Sequence, residues 1–184
     1  MNLTNINDLA IAISLSFNTL KVQTSPMAKE SHNMKLAQLN IALAKYPLDA
    51  PEIKDFVDNL DLINGVAENS VGFVWRLKDE SGDATNIKLF DDPNMIINMS
   101  VWESVEDLKN FMFRTHHRDF MRRKGEWFHR LAEDSYVLWW IEDNHIPSPQ
   151  EALERLQYLR ENGDTPYAFK FKSNFTAEEF KKYK

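Results

Sequence analysis

The segment Tyr136–Ile141 (YVLWWI) is apolar at every position, and it constrains the fold more than any other feature. A run this short and this rich in aromatic and β-branched residues is typical of a strand rather than a helix. Successive side chains of a strand point to opposite faces of its sheet, so both faces must be shielded here. The fold must therefore contain a sheet that is covered on two sides.

Hydrophobic periodicity predicts the remaining elements. Strands are predicted at Leu36–Leu43, Gly72–Leu77 and Met95–Trp102, with a short return strand at Ile87–Phe90. Pro51 opens a helix before the second strand, and Ser104 opens another that restarts or kinks after Thr115. The order β-α-β-β-α-β predicts an α+β, ferredoxin-like domain with an antiparallel sheet.

The C-terminal region adds an extra helix and a short strand. Ser148 and Pro149 begin the helix, Gly163 ends it, and Tyr167–Phe171 predicts the strand. We expect the folded domain to cover residues 35–172, followed by a charged tail over residues 173–184 that contains a weak final helix.

Residues 1–34 are predicted to be a mobile N-terminal extension. Leu9–Phe17 is apolar, but no Lys or Arg precedes it and no small-residue cleavage site follows, unlike a secretory signal peptide. A translation start at Met27 or Met34 is the alternative.

Composition excludes several classes of protein. The 184 residues include no cysteine, which rules out disulfides, thiolate nucleophiles and thiolate metal sites. The formal net charge of −6 argues against nucleic-acid binding, which needs a basic surface. No stretch has the roughly 20 apolar residues of a membrane span. We therefore predict a cytoplasmic protein with neither nucleic acid nor membrane as a partner.

The predicted sheet has an apolar face that the two ferredoxin-like helices would leave bare. Those helices cover one face only, yet Phe73, Val74 and Trp75 are consecutive apolar residues and YVLWWI has no polar side. With no further domain in the chain, we expect a second copy to cover the open sheet face. The expected assembly is a homodimeric α/β barrel.

Strand alternation gives this second face an unusual composition. If Ala37, Leu39 and Ile41 face the helices, the opposite positions face the second copy. Those positions are Gln38, Asn40, Val74, Arg76, Ile96, Asn98, Ser100 and Trp102. Burying such polar groups unpaired costs about 1–3 kcal/mol each, so they need partners. We expect a small hydrophobic or aromatic ligand, with a self-satisfied interface network as the alternative. The predicted ligand-binding residues are Gln38, Arg76, Asn98, Ser100, Trp102 and Trp140.

His116 and His117 are the candidate titratable groups, at the junction of two helical segments. Neighbouring positions on a helix diverge by about 100°, so regular helix cannot direct both at one metal ion. No H-x-x-x-H or H-E-x-x-H motif occurs, so no metal site is predicted. A general base, or a histidine that meets the free carbonyls of a helix end, are the two interpretations. A single axial ligand to haem stays open.

Several strings occur in the order found in one known family. NMSVWESVEDLKNFMFRTHH, FVDNLDLINGVAENSVGFVWRL and YVLWWI lie within a stretch of about 136 residues, from Leu36 to Phe171, that resembles domain-of-unknown-function family 3291. That family is grouped with the dimeric α/β-barrel superfamily of antibiotic-biosynthesis monooxygenases. The resemblance therefore implies the same fold and the same dimer.

The wider superfamily includes cofactor-free oxygenases of phenolic compounds and small haem-degrading oxygenases. Asn40 is similar to a first-strand Asn of the haem-degrading members, but Phe111 and Met121 stand where those members have a Trp and a His. We therefore expect a small-molecule-binding protein that acts as a cofactor-independent, monooxygenase-like enzyme on an aromatic or phenolic substrate. Asn40 and His116 or His117 would be its catalytic residues. A non-catalytic ligand-binding or stress-associated dimer is the alternative, and a haem-binding protein is the third.

Overall fold

The computed structural model describes residues 34–183, so all but the last residue of the predicted N-terminal extension lies outside the described residues. The strands are β1 (Met34–Leu43), β2 (Phe73–Arg76), β3 (Met95–Trp102) and β4 (Tyr136–Glu142). The helices are α1 (Lys54–Asp58), α2 (Leu60–Glu68), α3 (Val105–Arg114), α4 (His117–Trp127), α5 (Pro149–Asn162) and α6 (Ala177–Tyr183).

The four strands form one antiparallel sheet in the order β2-β3-β1-β4. β1 is central, with Gln38 opposite Ser100 of β3 on one side and opposite Leu138 of β4 on the other. This order and the connecting helices are those of a ferredoxin-like domain. The α+β, ferredoxin-like prediction is confirmed.

Local capping explains where the helices begin and end. The side chain of Ser104 accepts a hydrogen bond from the Asp107 amide at 3.1 Å, and that of Ser148 accepts one from the Glu151 amide at 3.1 Å. Thr115 is extended and separates α3 from α4, as the sequence predicted. Gly163 ends α5 with a φ of 72°, which an L side chain rarely adopts.

Some predicted elements differ from the structure. The helix opened by Pro51 is divided into α1 and α2 at Asn59. The strand predicted at Ile87–Phe90 is wrong: the Ile87 amide closes a turn on Ala84, and the apolar side chains of this segment pack on the core without strand pairing. The predicted strand at Tyr167–Phe171 is reduced to one bridge, in which Leu138 and Phe169 exchange two backbone hydrogen bonds.

One face of the sheet packs against α5. Ala37, Leu39 and Ile41 belong to an apolar cluster with Ala152, Leu156 and Leu159 of that helix. Leu39 is fully buried within the single chain. The sequence predicted that the two helices of the ferredoxin-like motif cover this face, whereas in the structure α5 covers it instead.

The other face packs against α2, α3 and α6. Leu36, Trp102 and Trp140 cluster with Leu108 and Phe111 of α3. The polar positions of β1 and β3 share this face, since they alternate with Ala37 and Leu39.

The assignment of these polar positions to a face away from the helices is corrected accordingly. Gln38, Asn40, Arg76, Asn98, Ser100 and Trp102 lie together on one face, as alternation predicted, but that face is on the side of α2 and α3. Val74 falls at a register shift in β2 and is 37% exposed, so it belongs to neither layer. Alternation separates two faces but does not say which helices cover each.

The C-terminal segment is part of the folded unit. Phe180 of α6 is buried in the same cluster as Trp102, and the Trp140 indole donates a hydrogen bond to the Phe175 carbonyl at 2.7 Å. The domain therefore continues through residue 183.

The homodimer stays a prediction. Because helices of the same chain pack on both faces of the sheet, a second copy is not needed to cover it. Within residues 34–183, no helix is both long enough and apolar enough to cross a bilayer.

We predict that α5 is essential to the fold because it shields the Leu39 face. Leu156→Ala, at a position only 2% exposed, should lower the free energy of unfolding by about 2–5 kcal/mol in chemical denaturation. Leu62→Ala on α2, where the side chain is 57% exposed, is the control and should change it by less than about 0.5 kcal/mol. Equal effects of the two variants would contradict this role of α5.

Candidate functional site

Four polar residues of β1 and β3 form what we call the polar patch: Gln38, Asn40, Asn98 and Ser100. The Gln38 amide nitrogen donates to Asn98 Oδ1 at 2.7 Å and to Ser100 Oγ at 2.9 Å. Ser100 is buried, whereas Asn40 and Asn98 are exposed. The patch thus has a closed end at Ser100 and an end open to solvent.

The Ser100 hydroxyl is the focus of the closed end. It accepts hydrogen bonds from the Gln38 amide at 2.9 Å and from the Trp102 indole at 2.8 Å. A hydroxyl has two lone pairs and one hydrogen, so both lone pairs are used. No acceptor for the hydroxyl hydrogen is found among the described residues. Two incoming donors also polarise the O–H bond, which strengthens it as a donor to a further oxygen.

The open end of the patch borders β4. The Asn40 amide donates to the Ser135 carbonyl at 3.2 Å, which fixes the orientation of the side chain. Tyr136 pairs with Asn40 across the two strands and lies on the same face. Burial raises the pKa of Tyr136 above its usual value, and a hydrogen bond to the Phe171 backbone acts in the opposite direction. The phenol is therefore neutral near neutral pH and can take part in hydrogen bonds.

A column of aromatic rings connects the sheet to the start of α4. Trp102 stacks on Phe111 with ring centroids 5.2 Å apart, and Phe111 contacts His117 at 4.7 Å. Phe111 thus lies between the histidine and the indole that binds Ser100. The sequence identified Phe111 only by its family position, and nothing in its helical spacing distinguished this contact from ordinary core packing.

The two candidate histidines have different environments. His116 is exposed, while His117 is partly buried and packs against Phe111. Burial lowers the pKa of His117 below its usual value, and an interaction with the Met112 backbone partly offsets this. Nδ1 of His117 is buried without a hydrogen-bond partner in the described part of the chain. His117 is therefore a neutral imidazole near neutral pH, which leaves a ring nitrogen able to accept a proton.

Arg76 and Trp140 share the face but not the hydrogen-bond network. Arg76 lies opposite Ser100, yet its Nε contacts Glu68 Oε1 at 2.8 Å, so its charge is neutralised within the chain. Trp140 lies beside Leu36 and its indole is bound to the Phe175 carbonyl. The structure thus groups Gln38, Asn98, Ser100 and Trp102 by direct hydrogen bonds, with Asn40 next to them, and leaves His116 apart.

Within residues 34–183 no group of three or more histidine or acidic side chains is placed to hold a metal ion. An axial haem ligand needs a ring nitrogen that opens onto a cavity. Nδ1 of His117 does not meet this requirement, since it has almost no solvent-accessible surface.

Sequence reasoning missed a second polar cluster, at the end of β4. The Glu151 carboxylate accepts from the Trp139 indole at 3.0 Å and lies 2.6 Å from Nε2 of His145. His145 and Glu151 border a cleft of about 490 Å³. The cluster joins β4, the following loop and α5, and both oxygens of the Glu151 carboxylate are engaged in it.

Comparison with known proteins gives one family, together with solved structures that are similar to this chain. The family described as Domain of unknown function (DUF3291) matches residues 35–184. No curated protein matches the chain significantly.

The solved structures are distant. A protein of unknown function from Nitrosomonas europaea is 13% identical, with a TM-score of 0.40 over 64% of this chain and 97% of its own. A protein from Pseudomonas aeruginosa is 12% identical, with a TM-score of 0.39 over 63% and 98%. A candidate antibiotic biosynthesis monooxygenase from Chloroflexus aurantiacus is 16% identical, with a TM-score of 0.34 over 62% and 97%. The fold assignment therefore rests on this chain's own strand order and register.

The burial of His117 predicts a pH dependence of stability. The unfolded chain takes up a proton at His117 near pH 6.5, whereas the folded chain does so only at lower pH. The free energy of unfolding should therefore fall as the pH drops below 6.5, by up to about 1.4 kcal/mol per pH unit, and level off below the folded pKa. His117→Phe should remove this part of the slope in denaturation curves measured across that range, and His116→Gln should keep it. An unchanged slope in His117→Phe would contradict the burial.

Proposed function

The chain belongs to the DUF3291 family of domains of unknown function, and for this member we propose that the polar patch binds a small aromatic or phenolic molecule. The ligand would lie over the exposed amides of Asn40 and Asn98, with its oxygen directed towards Ser100. A site that combines aromatic side chains with a few convergent polar groups is typical of small-molecule binding.

The free donor of the Ser100 hydroxyl carries this proposal. A buried hydroxyl that accepts from two N–H groups keeps its own hydrogen available to donate to an oxygen of a bound molecule. A phenolic or carbonyl oxygen supplies that acceptor. Trp102 and Phe111 are buried behind the hydroxyl, and the Trp102 indole holds it in position.

For the reaction at this site, we propose a cofactor-independent, monooxygenase-like oxidation of the bound ligand with His117 as the base. The imidazole would remove a proton from the substrate, and the resulting anion would give one electron to dioxygen. The substrate radical and superoxide then form a C–O bond, the imidazolium returns its proton to the peroxide, and loss of water from the hydroperoxide leaves a ketone. The balance is one CH₂ group and one O₂ in, and one C=O group and one H₂O out.

A non-catalytic ligand-binding or stress-associated protein is the second candidate. Phe111 favours it, because this ring lies between His117 and the Trp102–Ser100 pair. Catalysis therefore requires the substrate to reach the imidazole past Phe111, whereas binding alone does not. We also propose that the protein is a homodimer and that it is cytoplasmic. Light scattering of the purified protein tests whether it is a homodimer.

We predict that the Ser100 hydroxyl contributes directly to ligand affinity. Titration with 1-naphthol, followed by tryptophan fluorescence, should show saturable binding that Ser100→Ala weakens about 3- to 10-fold, as expected for one lost hydrogen bond. Ser173→Ala removes a hydroxyl outside the patch and should leave the affinity unchanged. Thermal unfolding confirms that each variant is folded. Equal affinities of wild type and Ser100→Ala would refute the proposed site.

Oxygen uptake separates the two candidate functions on the same ligands. A panel of hydroquinones and anthrones should be consumed with dioxygen by the wild type and not by His117→Phe if the protein is an oxygenase. Saturable binding without oxygen uptake would support the non-catalytic function.

A further inference from the structure

We infer that the ligand of the polar patch is an anionic aromatic molecule, whose acidic group is held by Lys109 of α3; this rests on the proposed function. The inference comes from a second group of residues, which we call the aromatic wall: Tyr136, Phe171 and Phe113. None of these was a predicted site residue.

The aromatic wall connects the open end of the patch to α3. Tyr136 pairs with Asn40 in the sheet, and its ring is 5.7 Å from that of Phe171. Phe171 lies 6.4 Å from Phe113 of α3. Phe113 is 49% exposed, so part of its ring is accessible from solvent. The wall therefore offers an aromatic surface to a ligand over Asn40.

Lys109 places a positive charge at this wall. Its ammonium lies 5.9 Å from the centre of the Phe171 ring, one helical turn before Phe113. A contact at this distance is at the outer limit of a cation–π interaction and uses none of the three N–H donors. No carboxylate within residues 34–183 pairs with Lys109.

The neighbouring cations are already paired with carboxylates of this chain, unlike Lys109. Arg76 is paired with Glu68, and Lys170 is paired with Asp134 at 2.9 Å. The whole chain carries a formal net charge of −6, so its long-range field repels anions. A local ammonium beside an aromatic surface therefore selects ligands that combine a ring with a carboxylate.

A matched pair of ligands tests this inference. 4-Hydroxyphenylacetate and 4-hydroxyphenylacetamide have the same ring and a similar shape, but the first carries a charged carboxylate and the second a neutral carboxamide. By isothermal titration calorimetry, the wild type should bind the acid about 3- to 10-fold more tightly than the amide, as expected for one partly exposed ion pair. Lys109→Met should reduce the affinity for the acid to that for the amide and leave the amide unaffected. Lys124→Met on the exposed surface of α4 carries the same charge change and should alter neither.

The outcomes distinguish this inference from the proposed function. Equal affinities of acid and amide in the wild type, or an equal loss of both in Lys109→Met, would overturn the role of Lys109. If Ser100→Ala still weakens both ligands in that case, the polar patch remains the binding site. If neither ligand binds the wild type, the inference fails, and if 1-naphthol also fails to bind, the proposed function fails with it.

Discussion

The antiparallel register of β1 with β3 determines the position of every polar group in the proposed site. Because Gln38 lies opposite Ser100, and Asn40 opposite Asn98, two amides and a hydroxyl come within hydrogen-bond distance on one face. A shift of one residue would move them all to the other face, into the layer beneath α5. The apolar residues that alternate with them, such as Leu39, oppose such a shift because they would lose their contacts with α5.

The two faces of the sheet are consequently covered in different ways. α5 seals the purely apolar face, so that its residues form an ordinary core. On the polar face, α3 covers only the end at Trp102, where Phe111 stacks on the indole, and Asn40 and Asn98 remain exposed. The same helix carries Lys109 and Phe113 to the border of the open part. One sheet thus provides both the stability of the domain and a partly open surface for a ligand.

The sequence predicted which residues share a face of the sheet, but it did not predict which helices cover each face. Period-two alternation separated Gln38 from Leu39, and the Ser148 cap identified α5, yet neither pattern says on which face α5 lies. That choice depends on the direction of the loop after β4, which is a tertiary property. Pairings between distant residues, such as Arg76 with Glu68, and the difference between exposed His116 and buried His117 depend on the same packing. Single-sequence patterns do not encode them.

We propose that a ligand binds to the polar patch rather than to the cleft beside His145. A two-dimensional NMR titration of isotope-labelled protein with 1-naphthol, in which side-chain N–H signals are followed, distinguishes these two places. Binding at the patch should cause saturable shifts of the amide signals of Gln38 and Asn98 and of the Trp102 indole signal, while the signal of the Trp139 indole near His145 stays unchanged. Shifts confined to the Trp139 indole, or no shift at the patch at saturating ligand, would contradict it.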